Sequence, residues 1–417
     1  MPGLLFPAYQ KLYSALSHLE RFDKESNFFD NISAIDNFFN EYRNITFVMQ
    51  ESLRHTEHFG AYEKNRDQFL TDHWFVKKRN ETIKQKPFEL IKEVVITLYL
   101  PFGGFTVSEK TYSVADDEQM ESIFAELKDL LCKVDSHEVC FSVSFSFHEA
   151  GSDIDLLKRV LQGVASMKSF MDAMEQDIGE QCPLCDQLKD KIKNIHLSDV
   201  PLDFLLVNDY TYYPEQDSFD KAERVSMMMS LDSKKVASHQ PLSWLTQAKH
   251  FNYDGTAFGN FTLMHAMLRA IRPGMDIMPA IMVVYDDDTY DLDAFDATMK
   301  TTMYRKLMET ARLVDEQNVV EVCYMSLYSN IPITPDTPKT SRERIQQSTS
   351  DILVCASIDK ALREKEYVFD GKHMENMEYV ACVMRNGLRE QLGVSATNLF
   401  PIRCAFEKRL NGASNQL

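Results

Sequence analysis

The chain has 417 residues, 44% of them apolar and 26% charged, with 14 Gly and 14 Pro. That composition excludes a disordered, collagenous or low-complexity protein, and the length exceeds one ordinary core, since domains usually hold roughly 100–200 residues. A formal charge of -18 argues against a polyanion-binding surface spread over the whole molecule.

The opening stretch MPGLLFPAYQ has no basic leader and is interrupted by Pro2 and Pro7, so neither a signal peptide nor a transit peptide is expected. No uncharged apolar run approaches the roughly 18 residues that span a bilayer. A soluble, cytoplasmic protein without membrane contact is the expectation. Its 8 cysteines are expected to be mostly buried thiols, too sparse for a disulfide framework.

Helical period governs the first 86 residues. A short helix is predicted around residues 8–20. Over residues 27–54, Phe28, Ile32, Ile35, Phe39, Tyr42, Ile45, Val48 and Met49 recur at helical spacing without a Gly or Pro. One further helical stretch runs through Tyr62, Phe69, Leu70, Trp74 and Phe75 towards Ile83, and Pro87 marks its end.

Beyond Pro87 the period changes. Residues 93–100 (EVVITLYL) and 105–114 read as strands about a turn, and a helix begins near Asp116 with Ile123, Leu127, Leu130, Leu131 and Val134 on one face. Residues 139–147 alternate large apolar side chains with serine, as a strand with one face in a core does. Ser152, with Asp155 three residues on, resembles a capping box for a long helix displaying Leu157, Leu161, Val164, Met167, Met171, Met174 and Ile178. From about residue 237 the mixture repeats: helices over 261–271 and 297–316, strands over 280–285, 319–328 and 352–358. Residues 331–350 hold three prolines and no clear period, and are predicted to be a long surface loop or flap. The expected fold class is therefore α+β or α/β and multidomain, with an all-helical bundle over 1–86 followed by mixed α/β domains over 87–236 and 237–417.

Charge is uneven along these regions. Residues 1–86 carry 12 basic and 12 acidic side chains, so the whole -18 falls on residues 87–417. Within the neutral region Lys77, Lys78, Arg79, Lys84 and Lys86 crowd one stretch against a single acid, Glu81. Such a patch can contact phosphate even on an acidic protein.

A long aromatic-rich helix carrying Arg43-Asn44, a polar bend, and a helix bearing Arg79-Asn80 in KKRNETIKQK together resemble the HEPN family of small helical domains, over about a fifth of the chain. The resemblance implies dimerisation and, in active members, metal-independent RNA cleavage. There an arginine steadies the scissile phosphate and a histidine four to six residues further on assists proton transfer. After the Arg79-Asn80 pair that spacing offers Lys84, Gln85 and Lys86 but no histidine, and lysine is a poor proton acceptor near neutral pH. Arg66-Asp67 with His73 also meets the loose spacing. The candidate catalytic residues are thus Arg79, Asn80 and His73, and the candidate phosphate ligands Lys77, Lys78, Arg79 and Lys84.

Two further constellations invite a metal. Cys182-Pro-Leu-Cys185 is the only C-x-x-C, with His196 as a third donor; zinc, a redox pair, or two thiols near a helix start all fit, the last with the fewest assumptions. Residues 285–296 (YDDDTYDLDAFD) hold six aspartates, among which Asp286 and Asp288 are candidate ligands for a hard cation. A solvated turn leading into a helix N-terminus explains the run with fewer assumptions. No Gly-rich phosphate loop, nucleophile elbow or H-E-x-x-H occurs, which removes the usual support for an NTPase, dehydrogenase, serine hydrolase or zincin, and no cofactor is expected. The sequence reads as a non-catalytic interaction or sensing protein that forms homodimers through its helical domain, with RNA a candidate partner there. The alternative is a metal-independent endoribonuclease of a stress or defence system.

Overall fold

In a computed structural model the described residues are 3–23, 28–84, 90–100, 106–114, 120–134, 136–152, 154–195, 206–222, 256–271, 277–287, 289–295, 299–316, 318–331, 334, 336–348, 350–392 and 397–414. The helical period of the N-terminal region is realised as α1 (Phe6–Leu19), α2 (Phe28–Leu53), α3 (Phe59–Phe69) and α4 (Trp74–Lys84). Without Gly or Pro to interrupt it, α2 runs for 26 residues and buries Ile35, Phe38, Phe39, Tyr42, Ile45 and Met49. α1 packs along it and buries Leu12, Leu16 and Leu19.

The stretch expected as one helix from Tyr62 towards Ile83 is two. Leu70 leaves helical backbone geometry (φ -110°, ψ 52°), and the Asp72 carboxylate accepts the Trp74 amide hydrogen at 2.9 Å, which satisfies a donor that a new helix start would otherwise orphan. Helices α5 (Met120–Leu131), α6 (Leu156–Ile178) and α7 (Pro183–Lys193) follow. The cap of α6 is Asp155 itself, whose carboxylate accepts the Lys158 amide hydrogen at 2.7 Å. Ser152, expected in that role, lies before the helix.

The chain divides into two compact units, each discontinuous in sequence: Met1–Ile96, Lys110–Asp129 and Val143–Asn208 form one, and Thr97–Glu109, Leu130–Ser142 and Asp209–Leu417 the other. Strands β1 (Leu90–Leu100), β2 (Thr106–Val114), β3 (Val139–Glu149), β4 (Val207–Tyr213) and β5 (Ser218–Lys221) pair in the order β2-β1-β3-β4-β5.

The second unit contains a further sheet, of six strands: β6 (Ala280–Tyr285), β7 (Tyr290–Ala294), β8 (Val319–Asn330), β9 (Ser350–Asp359), β10 (Arg363–Asp370) and β11 (Arg389–Leu392). They pair antiparallel in the order β11-β10-β9-β8-β6-β7. Both faces are covered. Met282, Cys323, Met325, Leu353, Cys355 and Phe369 pack with α8 (Ala257–Ile271) and α11 (Met377–Asn386). On the opposite face Ile281, Val283, Val322, Tyr324 and Ile358 pack with α9 (Lys300–Glu316) and α12 (Phe400–Ser414). Alternate residues of β6 and β8 serve opposite cores, the period of two that a strand imposes. The segment expected as a flap includes one short helix, α10 (Ser341–Ile345). The fold is mixed α and β with a helical N-terminal region. No helix among the described residues is long and apolar enough to cross a membrane.

Candidate functional site

Where α2, the bend between α3 and α4, and α6 converge in the first unit, they leave a cavity of about 550 Å³. Its walls include Tyr42, Arg43 and Thr46 of α2, Arg66 and Asp67 of α3, Asp72 and His73 of the bend, Phe75 of α4, and Arg159, Gln162, Gly163 and Ser166 of α6. The break after Leu70 shapes it, because an unbroken helix would carry residues 71–73 elsewhere. Close packing behind it needs a glycine: a Cβ on Gly163 would lie 2.0 Å from the Phe75 ring, and Phe75 stacks on Tyr42 with ring centroids 4.6 Å apart.

Three guanidinium groups reach this cavity, and they are partnered differently. Arg66 is held by Asp67 at 2.8 Å and lies over the Tyr62 ring. Arg159 makes a fork to Asp72 at 3.2 Å and lies 4.7 Å from the Trp74 ring centroid. Arg43 donates to the Thr46 hydroxyl and sits 4.2 Å from the Phe47 centroid. No carboxylate among the described residues pairs with Arg43. Burial lowers its pKa from the usual arginine value; Tyr62 opposes the shift, and the charges of Arg79 and Arg66 add to it. A half-buried cation beside two like charges is an arrangement that an incoming anion relieves, and a guanidinium matches carboxylate or phosphate oxygens two at a time.

The sequence-predicted residues divide between this cavity and its surroundings. His73 is exposed on the bend and lines the cavity together with Arg66 and Asp67. Arg79 and Asn80 do not line it: Arg79 donates to the Asn80 side chain at 3.3 Å on α4. Lys77 is exposed and 3.7 Å from Glu81. Lys78, expected to reach an external phosphate, faces inward instead, with 8% of its side chain exposed. Its ammonium bonds Glu81 at 2.8 Å and Glu149 at 2.6 Å, an arrangement that satisfies a buried cation internally. The side chain of Lys84 lies outside the described residues. Arg159, Gln162 and Ser166 were not anticipated, because α6 lies far along the chain; the only local signal was a lone Gly163 amid large residues.

The metal candidates are placed as follows. Cys182 caps α7, its sulfur accepting the Cys185 amide hydrogen at 3.2 Å, while His196 lies outside the described residues. The acidic run forms a hairpin, where a turn into a helix was expected. Thr289 bonds Asp287, Asp291 accepts the Tyr285 hydroxyl at 2.8 Å, and Asp293 pairs with Lys306 at 3.0 Å. Asp286 is exposed at the turn, and Asp288 lies outside the described residues. Among the described residues no group of three or more His, Cys, Asp or Glu is placed to hold a metal ion. No protein-family model, curated protein or solved structure matches the chain.

Proposed function

We propose that this protein is a non-catalytic interaction or sensing protein, paired with a second copy through an HEPN-like helical region, that takes a phosphate-bearing ligand at the cavity around Arg43. Single-stranded RNA is the reference ligand. What supports this reading above all is Arg43, whose guanidinium sits in the cavity wall with a hydroxyl and an aromatic ring as its neighbours and no carboxylate among the described residues. Arg66 and Arg159 add cationic character but already hold Asp67 and Asp72, so they position the site more than they pull on a ligand.

The ribonuclease reading draws on a different observation: Arg66 and His73 line the same cavity. A histidine and an arginine facing one phosphodiester are the parts that proton transfer and charge stabilisation require. The two readings separate on labelled single-stranded RNA in EDTA. Retention of intact RNA in a complex weakened by salt supports the binding protein. Cleavage that His73→Ala abolishes supports the nuclease. Light scattering of the full chain tests the pairing, with a mass of two chains expected and a mass of one contradicting it.

A further inference from the structure

We propose that Cys182 and Cys185 are a redox dithiol that closes to a disulfide on reaction with hydrogen peroxide, with Cys182 as the attacking sulfur and Cys185 as the resolving one. Cys182 occupies the cap of α7 in an extended backbone conformation (φ -127°, ψ 97°), and Pro183 follows at the first helical position. Its sulfur therefore stands where the unpaired amides of a helix start converge. It accepts the Cys185 amide hydrogen at 3.2 Å, which sets Cys185, one turn into the helix, directly against it. Both cysteines belong to one helix start, the cap and the first turn, so no loop must move to join them.

The two thiols are also unlike. Burial alone would raise Cys182, but hydrogen bonds from the Cys185 thiol and from the amides of Cys185, Gly3 and Leu184 outweigh it and hold Cys182 below the ordinary thiol value. Cys185 is pushed up to about 12 by burial, by its hydrogen bond to Cys182 and by the charges of Cys182 and Glu180. The two thiols are thus shifted in opposite directions, Cys182 down and Cys185 up, the asymmetry that a reacting dithiol needs.

The chemistry balances with a peroxide as oxidant. The Cys182 thiolate attacks one peroxide oxygen, the O–O bond breaks, and the leaving oxygen takes a proton to become water, leaving a sulfenic acid. The Cys185 sulfur then attacks the Cys182 sulfur, its proton leaves with the sulfenic oxygen as a second water, and the S–S bond forms. Two thiols are oxidised and one peroxide is reduced. Access favours a small oxidant, since Cys182 is only 8% exposed. The N-terminal segment covers it: a Cβ on Gly3 would lie 2.9 Å from the Cys182 sulfur, and the Leu4 amide donates to Glu180 at 2.7 Å.

The test uses the reduced full chain, titrated with hydrogen peroxide, alkylated with iodoacetamide and mapped by mass spectrometry. The expected product is one peptide holding both Cys182 and Cys185, two hydrogens lighter and unalkylated, formed before the exposed Cys132 and Cys382 are lost. In Cys185→Ser, dimedone should label Cys182; in Cys182→Ser, where serine keeps the helix cap, Cys185 should stay reduced. Circular dichroism confirms that each variant is folded. Oxidation of Cys132 or Cys382 with Cys182 and Cys185 still alkylatable overturns the proposal, as does equal peroxide sensitivity of Cys185 with and without Cys182.

Discussion

The Tyr42 hydroxyl donates a 2.9 Å hydrogen bond to the backbone carbonyl of Gly163, joining two residues 121 positions apart. It ties α2 to α6 at the wall of the arginine-lined cavity, and it requires the two helices to approach as closely as a glycine allows. Gly163→Ala places a methyl group where the Phe75 ring now stands. Overpacking of this kind costs about 1–3 kcal/mol, so the urea midpoint should fall, while Tyr42→Phe, which removes only the hydrogen bond, should cost about 1 kcal/mol.

In the second unit Arg305 and Asp209 form a buried pair, with guanidinium nitrogens 2.9 and 3.0 Å from the carboxylate and side-chain exposures of 9% and 4%. Asp209→Ala takes from the buried Arg305 the carboxylate that lies against it, while Glu309 stays at 2.9 Å. A broken buried pair typically costs about 3–5 kcal/mol. Asp209→Leu combined with Arg305→Met should recover most of that loss in chemical denaturation, because neither partner then remains charged.

His265 gives the protein a defined acid sensitivity. It is buried in α8, hydrogen-bonded at 2.8 Å to the Phe261 carbonyl, and burial lowers its pKa from 6.5 to about 4 although that hydrogen bond opposes the shift. Between those values the unfolded chain binds a proton that the folded chain does not. Stability is therefore full above 6.5, declines as pH falls towards about 4, and levels off below; the loss totals about 3 kcal/mol. Denaturation midpoints measured across this range should show the slope, and His265→Leu should remove that part of it.

Glu138 fastens the start of α10. Its carboxylate accepts from Lys300 at 2.9 Å, from the Ser341 amide at 2.7 Å and from the Ser341 hydroxyl at 2.5 Å. Glu138→Gln removes the charge and turns one acceptor into a donor facing donors. Charge-assisted hydrogen bonds contribute about 1.5–3 kcal/mol, so brief trypsin treatment should cut after Arg342 or Arg344 at least about tenfold faster in the variant.

Legibility in the sequence followed the range of each signal. Repeats of three and four along residues 28–53 marked α2 almost to its ends, and the β-branched runs marked β6, β8 and β9, because burial on one face or two leaves a local pattern. The break at Leu70 to His73 was missed. The apolar spacing continues across it, and what stops the helix is a single Asp72 carboxylate bonding the Trp74 amide. β7 is hidden inside an acidic run, since Asp291 and Asp293 lie on a strand where the Tyr285 hydroxyl and the Lys306 ammonium meet their charges, partners that the run of aspartates does not mark. At the site, Arg43, Arg66, Asp67 and His73 were singled out from local motifs, yet only packing against α6 places them around one cavity with Arg159. In sequence Lys78 is indistinguishable from its basic neighbours; Glu149, 71 residues on, is the partner that turns it inward.

The most direct measurement is fluorescence anisotropy of a labelled single-stranded RNA titrated with the intact protein and with Arg43→Ala, at two salt concentrations. The expected result is saturable, salt-weakened binding that Arg43→Ala reduces at least about tenfold, the loss of one charge-assisted contact, with the RNA intact throughout. Binding that is absent at low salt, or that survives Arg43→Ala unchanged, would contradict it.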